Sequence, residues 1–133
     1  MQNLINYFTI FFLMAAFDGL WLGTMTKAFY RPQLGALLAK TPNWLAAGIF
    51  YPLYVFGILF FVVSPALKNN LNLTQVFMTG ALLGLVAYGT YDFTNQATLK
   101  NWPVIVTVVD LIWGAVITGS VSLLAVWIIR SFF

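Results

Sequence analysis

Asp18, Asp92 and Asp110 are the only acidic side chains in the sequence. Asp18 and Asp110 each open the same pattern, Asp18-Gly-Leu-Trp21 and Asp110-Leu-Ile-Trp113. Three residues apart on a helix, the two side chains share a face. The indole N–H can then donate to the carboxylate, or the ring can wall a ligand site; chance plus packing is the plain alternative. Asp92 lies in the most polar block of the chain, YGTYDFTNQATLK. Tyr88, Asp92 and Asn95 share a face there if a helix continues through them. Tyr51 and Tyr54 add two phenols from NWLAAGIFYPLY. Carboxylates combined with aromatic faces suit an amine or other cationic amphiphile. Paired carboxylates can also act as general acid and base if their environments push them apart. The chain has no Cys, no His and no Glu, so thiolate chemistry, imidazole bases and the usual zinc or haem ligands are excluded. No metal or cofactor is expected, and any proton transfer falls to Asp, Tyr, Lys, water or a bound molecule.

Four apolar runs must position these groups. Each is long enough for a membrane span, which needs about 20 mostly apolar residues. They cover residues 4–25, 44–63, 73–91 and 103–129, and none alternates as a membrane barrel strand would. The predicted fold is all-α: a polytopic membrane protein, one domain over residues 1–133, with four transmembrane helices in an up-down-up-down bundle. Asn43 is placed to cap the second helix, Thr74 the third, and Pro103 suits the first turn of the fourth. Trp44, Trp102 and Trp127 sit near span ends, as interfacial anchors do. Pro52 interrupts the second span and removes a backbone hydrogen bond. Between the first two spans, QLGALLAK after Pro32 places Leu34, Leu37 and Leu38 on one helical side. It reads as a short interfacial helix or as a partly ordered loop.

With four spans, all three aspartates fall in the same half of the membrane, whichever side is cytoplasmic. Tyr51 and Tyr54 lie about 10 to 15 Å along the second helix from that same end, at 1.5 Å per residue. This lopsided polarity favours a cavity opening to one face over a pore. An ionised Asp at a helix centre costs about 2.5 to 3.5 kcal/mol. Lys27, Arg31 and Lys100 lie on the correct side to act as counter-charges. The acids are either staples between helices or the lining of a binding or proton site. Ala15, Gly19 and Gly23, then Gly80 and Gly84, then Ala115 and Gly119 repeat at a spacing of four, which lets helices approach closely within a bundle.

Composition points the same way. Charged residues make up 7% of the chain and hydrophobic ones 62%, against about 25% charged in a soluble domain. The net charge of +3 comes from cations spread over loops and ends, so it reads as membrane orientation and not as nucleic-acid binding. The loops beside the acids hold Lys27, Arg31, Lys40 and Lys100, and the opposite ends hold Lys68 and Arg130; the positive-inside rule then puts both termini outside the cytoplasm. No Lys or Arg precedes Lys27, so the first apolar run reads as a retained helix and not as a signal peptide.

Phe50-Tyr51-Pro-Leu-Tyr54, the block Tyr91-Asp92-Phe-Thr94-Asn95-Gln-Ala97-Thr98-Leu99-Lys100 and the two Asp-x-x-Trp patterns carry a resemblance. The chain resembles the small bacterial predicted inner-membrane proteins classed as a domain of unknown function, over nearly its whole length. That resemblance implies a helical fold and a bacterial inner-membrane location, and no activity. The chain is also similar in size, span number and first-helix acid to the small multidrug-resistance transporters, which use a Glu there; this is analogy only. The residues themselves lead to a small-molecule-binding or proton-coupled transport protein, its one-sided cavity lined by Asp18, Trp21, Tyr51, Tyr54, Tyr88, Asp92, Asn95, Asp110 and Trp113. The expected partners are the lipid bilayer and a small cationic or amphiphilic ligand, with a homo-oligomer compatible. The alternatives are a membrane enzyme acting on a lipid or isoprenoid, which no recognised catalytic motif supports, and a structural subunit of a membrane complex.

Overall fold

The computed structural model describes residues 1–133. It is all helical, with four helices long and apolar enough to cross a membrane: α1 (Gln2–Leu37), α2 (Trp44–Lys68), α3 (Leu73–Thr98) and α4 (Val104–Phe132). Helices answer the requirement that backbone groups in lipid be satisfied within the segment. All four exceed the expected spans, and two of the extensions matter for the site. The polar block after residue 91 stays helical to Thr98, so Tyr88, Asp92 and Asn95 do share one helical face. The stretch expected as a loop or a separate interfacial helix is instead the tail of α1. It runs as a π-helical turn (Thr26–Tyr30), a short α-helical turn (Arg31–Leu34) and a 3-10 turn (Gly35–Leu37).

Proline explains how α1 continues. Arg31 N–H bonds to the carbonyl of Thr26, five residues back, and in α2 Ser64 N–H bonds to Leu59 across the π-turn Leu59–Val63. Each wide turn ends two residues before a proline, Pro32 or Pro65. A proline has no N–H, and its ring crowds the carbonyl four residues earlier. Widening the preceding turn admits the ring without ending the helix. The α-helical part of the α1 tail stops at Gly35, whose φ of +52° is a conformation that glycine adopts without a Cβ clash.

The other boundaries follow ordinary capping chemistry. Asn43 Oδ1 accepts from Ala46 N–H at 3.1 Å at the start of α2, as expected. The cap of α3 is Asn72 and not Thr74. Asn72 Oδ1 accepts from Gln75 N–H at 2.9 Å while Gln75 Oε1 accepts from Asn72 N–H at 3.1 Å, a reciprocal box that satisfies two otherwise free donors. Pro103 sits at the N-cap of α4. The turns before α3 and α4 pass through Asn70 and Asn101 at positive φ, where Asn is the most tolerated residue after Gly.

Helix contact is closest between α3 and α4. A Cβ on Gly84 would overlap the carbonyl of Gly114, and one on Gly80 would lie 2.8 Å from the carbonyl oxygen of Thr118. The order of these contacts makes the pair antiparallel. The partner of Gly84 is Gly114, one position before the Ala115 of the expected stripe. Ala15, Gly19 and Gly23 do not form an intramolecular contact: all three are exposed, and nothing lies within 4 Å of a Cβ at either glycine.

The apolar core is displaced toward one end of the bundle. It joins Ile10 and Met14 of α1, Val55 to Ala66 of α2, Val76 of α3, and Ile117 to Ile129 of α4. In lipid such contacts rest on packing and dispersion, since the surrounding tails are as apolar as leucine. Arg130 fastens this end, donating to the carbonyls of Leu71 at 2.9 Å and Ala66 at 3.1 Å. At the opposite end residues 41–50 are all exposed, so the first two turns of α2 stand away from the bundle. Trp44 and Trp127 are exposed near helix ends, but Trp102 is not a surface anchor. It is buried, and its Nε1 donates to Thr107 Oγ1 at 3.1 Å. Gln96 completes a ring of bonds there, donating to the Trp102 carbonyl at 2.9 Å and accepting from Thr107 at 3.0 Å. This ring closes the α3–α4 turn one helical turn before Asp110.

Candidate functional site

The loosely packed end holds the chemistry. Where α1 crosses α4 the two Asp-x-x-Trp patterns interlock. Neither tryptophan bonds to the carboxylate of its own pattern. Trp113 Nε1 donates to Asp18 Oδ1 at 3.4 Å. Trp21 lies flat on Trp113, with ring centroids 4.1 Å apart and planes 6° from parallel. Its Nε1 donates to the Tyr30 hydroxyl at 3.1 Å, and that hydroxyl donates to Asp110 Oδ1. Because the helices run in opposite senses here, the same pattern read from both sides gives two indoles face to face with a carboxylate at each end. Aromatic pairs of this kind add about 0.5 to 1.5 kcal/mol beyond the area they bury.

Tyr30 reaches Asp110 because α1 does not stop at Met25. The π-turn carries the helix past its expected end and places the phenol nine residues beyond Trp21, on the same side. Sequence reasoning missed this residue. The signal was present in Tyr30-Arg31-Pro32, a proline that the first turn of a helix accepts, but Arg31 and Pro32 together read as loop.

These side chains border a cavity of about 310 Å³. Asp18, Trp21, Tyr88, Asp110 and Trp113 line it as expected members of the site, and Tyr30, Leu34, Leu38, Tyr91, Trp102 and Val106 join them. Tyr88 is held in place from behind. A Cβ on Gly114 would meet its ring, so the glycine next to Trp113 is what lets the phenol lie against α4. No Lys or Arg lines the cavity. Lys27, Arg31 and Lys100, expected as counter-charges, are exposed, and the hydrogen bonds to Asp18 and Asp110 come from Trp113 and Tyr30 instead.

The other expected members stand outside this cavity. Asp92 is fully buried one turn beyond Tyr88, beside Asp110, and neither carboxyl oxygen has a hydrogen-bond donor. Asn95 is half-buried a further turn along. The Tyr54 hydroxyl pairs with Thr118 Oγ1 at 2.8 Å, and its ring meets Tyr88 at 6.4 Å between centroids. Tyr51 packs edge-on against Phe11, with its buried hydroxyl unpartnered. The three carboxylates do not converge as a cluster able to hold a metal ion. A second, larger cleft of about 760 Å³ lies between the first half of α2 and the end of α3, with Tyr54, Tyr88 and Tyr91 on its wall.

Comparison with known proteins returns no match among curated proteins or solved structures. Residues 3–127 match the sequence model of a family of predicted membrane proteins, DUF2177. The match covers nearly the whole chain, including every helix that contributes to the interlocked Asp–Trp site, and the protein belongs to that family.

Proposed function

We propose that this family member binds an organic cation, an amine or an amphiphile with an amine head, in the acidic cavity, and that binding exchanges with a proton. The observation that supports this reading is the lining itself: two carboxylates, two stacked indoles and three phenols, with no basic side chain among them. A cation over such aromatic faces gains about 0.5 to 2 kcal/mol as it loses water, and the carboxylates add charge attraction in a poorly hydrated site. Asp92 and Asp110 supply a place for the proton. Asp92 is fully buried with no donor to either carboxyl oxygen, a setting that favours its neutral, protonated form. A cation arriving at Asp110 favours its release, so affinity rises with pH. In this reading the protein resides in the bacterial inner membrane, the cavity opens to the cytoplasmic face, and both termini lie on the other side.

Purified protein titrated with hexylamine at several pH values tests the proposal, read by the fluorescence of the stacked tryptophans. Asp18→Asn and Asp110→Asn are expected to weaken binding and flatten its pH dependence. Unchanged pH-dependent binding in both variants would remove the carboxylates from the site. A structural reading has its own support in the interlock, since Trp113 to Asp18 and Tyr30 to Asp110 tie α1 to α4. It predicts lost thermal stability in the same variants and no amine binding in the unmutated protein.

A further inference from the structure

The acidic cavity and the larger cleft share a wall, and the wall is made by Tyr88 and Tyr91. Three residues apart on α3, they present one face, with the carboxylates on one side and a lipid-facing cleft on the other. The two compartments differ in chemistry. The cleft is about 760 Å³ and is bordered by Ala46, Ala47, Phe50 and Ala87 with the tyrosine rings. Two of its hydroxyls are engaged within the protein: Thr90 donates to the Val86 carbonyl at 2.7 Å and Tyr54 pairs with Thr118 at 2.8 Å. No charged side chain lines it. The cavity beyond the wall is smaller, about 310 Å³, and holds all of the charge.

From this we infer that the cleft between α2 and α3 seats the alkyl chain of a single-chain cationic amphiphile whose head occupies the acidic cavity, so that the ligand is drawn sideways from the bilayer. The inference rests on the cation-binding reading above and adds the ligand class and the route. Three features carry it. First, the cleft adjoins the charged compartment, with only the Tyr88 and Tyr91 side chains between them. Second, it lies where residues 41–50 of α2 are free of the bundle, so the side wall is open at the depth of the acids. Third, the α2 side of the cleft begins with two small residues, Ala46 and Ala47, which leaves room for a chain between helices. A lipid tail gains little by moving from other tails to a protein groove. The acids therefore provide the affinity, and the cleft selects the shape.

The test uses the full protein in phosphatidylcholine nanodiscs and dodecylamine carrying a terminal diazirine. After photolysis the adducts are mapped by mass spectrometry. Labelling is expected to concentrate several-fold on residues 44–54 and 87–91 over the lipid-facing Phe8 and Phe12 of α1. Ala47→Phe and, as a second variant, Ala46→Leu should strongly reduce labelling at 87–91, and Asp110→Asn should reduce it at both segments. Both α2 positions are exposed, so the fold tolerates the larger apolar side chains, which thermal unfolding verifies. Even labelling over all lipid-facing helices, or labelling at 87–91 unchanged by both α2 variants, overturns the cleft inference. If hexylamine still binds in that case, the acidic-cavity reading stands alone. If hexylamine does not bind the unmutated protein, that reading falls and the inference with it.

Discussion

Tyr30→Phe removes a single oxygen, and the structure fixes what should follow. That oxygen accepts from Trp21 Nε1 and donates to Asp110 Oδ1, so its loss leaves one donor and one carboxylate without their partners across the α1–α4 contact. Hydrogen bonds between membrane helices average about 0.6 kcal/mol in double-mutant cycles and reach about 1.7 kcal/mol. Bonds to charged groups in proteins generally run at about 1.5 to 3 kcal/mol. The acceptor is a largely buried carboxylate, which places Tyr30–Asp110 near the top of the membrane range, at about 1.5 kcal/mol. The indole left unpaired adds about 0.5 to 1 kcal/mol to the single variant, making about 2 kcal/mol in total. Equilibrium unfolding in mixed micelles by added SDS measures both figures. The cycle that combines Tyr30→Phe with Asp110→Ala should show a coupling of about 1.5 kcal/mol, roughly tenfold in the unfolding equilibrium. A coupling within about 0.5 kcal/mol of zero, the range of independent sites, would mean that Tyr30 does not reach Asp110. The helical tail of α1 would then be placed wrongly.

Other substitutions separate neighbouring features of the fold. Gly84→Leu pushes a side chain into the Gly114 backbone, which cannot yield as a side chain would, and should destabilise by about 3 kcal/mol or more; Gly19→Leu, facing open space, should change the same unfolding midpoint little. Tyr51→Phe deletes a buried hydroxyl that has no partner, so it is expected to be neutral or slightly stabilising by thermal unfolding, the reverse of Tyr30→Phe. Arg130→Ala removes two charge-assisted bonds to the α2–α3 turn and should cost about 1 to 3 kcal/mol. Its hydrogen exchange should rise in residues 66–72 while the Asp–Trp end stays protected.

Much of the frame is legible in the residues. Apolar runs of spanning length mark four helices, and the spacing of Tyr88, Asp92 and Asn95 shows one face once helix continues to Thr98. What was hidden has a physical pattern. Helical periodicity compares a residue with its neighbours on the same helix, so Asp-x-x-Trp suggested bonds within each pattern. The pairing of Trp113 with Asp18 depends on how two antiparallel helices register, which no local spacing encodes. Tyr30 was lost because proline is usually read as a stop, and the π-turn that lets α1 pass Pro32 leaves no mark of its own in the sequence. The cap of α3 moved from Thr74 to Asn72 because the box with Gln75 needs both partners at once. Trp102 resembled a surface anchor by position, but Thr107 accepts its indole N–H from within, and Gln96 holds its backbone carbonyl. The stripe of Ala15, Gly19 and Gly23 has the spacing of a contact and faces outward, because spacing shows that a face is smooth and not what covers it.

Charge selectivity at the cavity tests the central claim most directly, and the absence of native cysteine makes the measurement clean. Thr26 lines the acidic cavity without bonding to either carboxylate. Thr26→Cys is labelled in parallel with a trimethylammonium-ethyl and a sulfonato-ethyl methanethiosulfonate, each rate divided by that reagent's rate with free cysteine. A cavity that selects cations through Asp18 and Asp110 gives a much larger normalised rate for the cationic reagent, and the preference collapses when Asp18→Asn and Asp110→Asn are added. Equal normalised rates, or a cationic preference that survives loss of both carboxylates, would contradict the account.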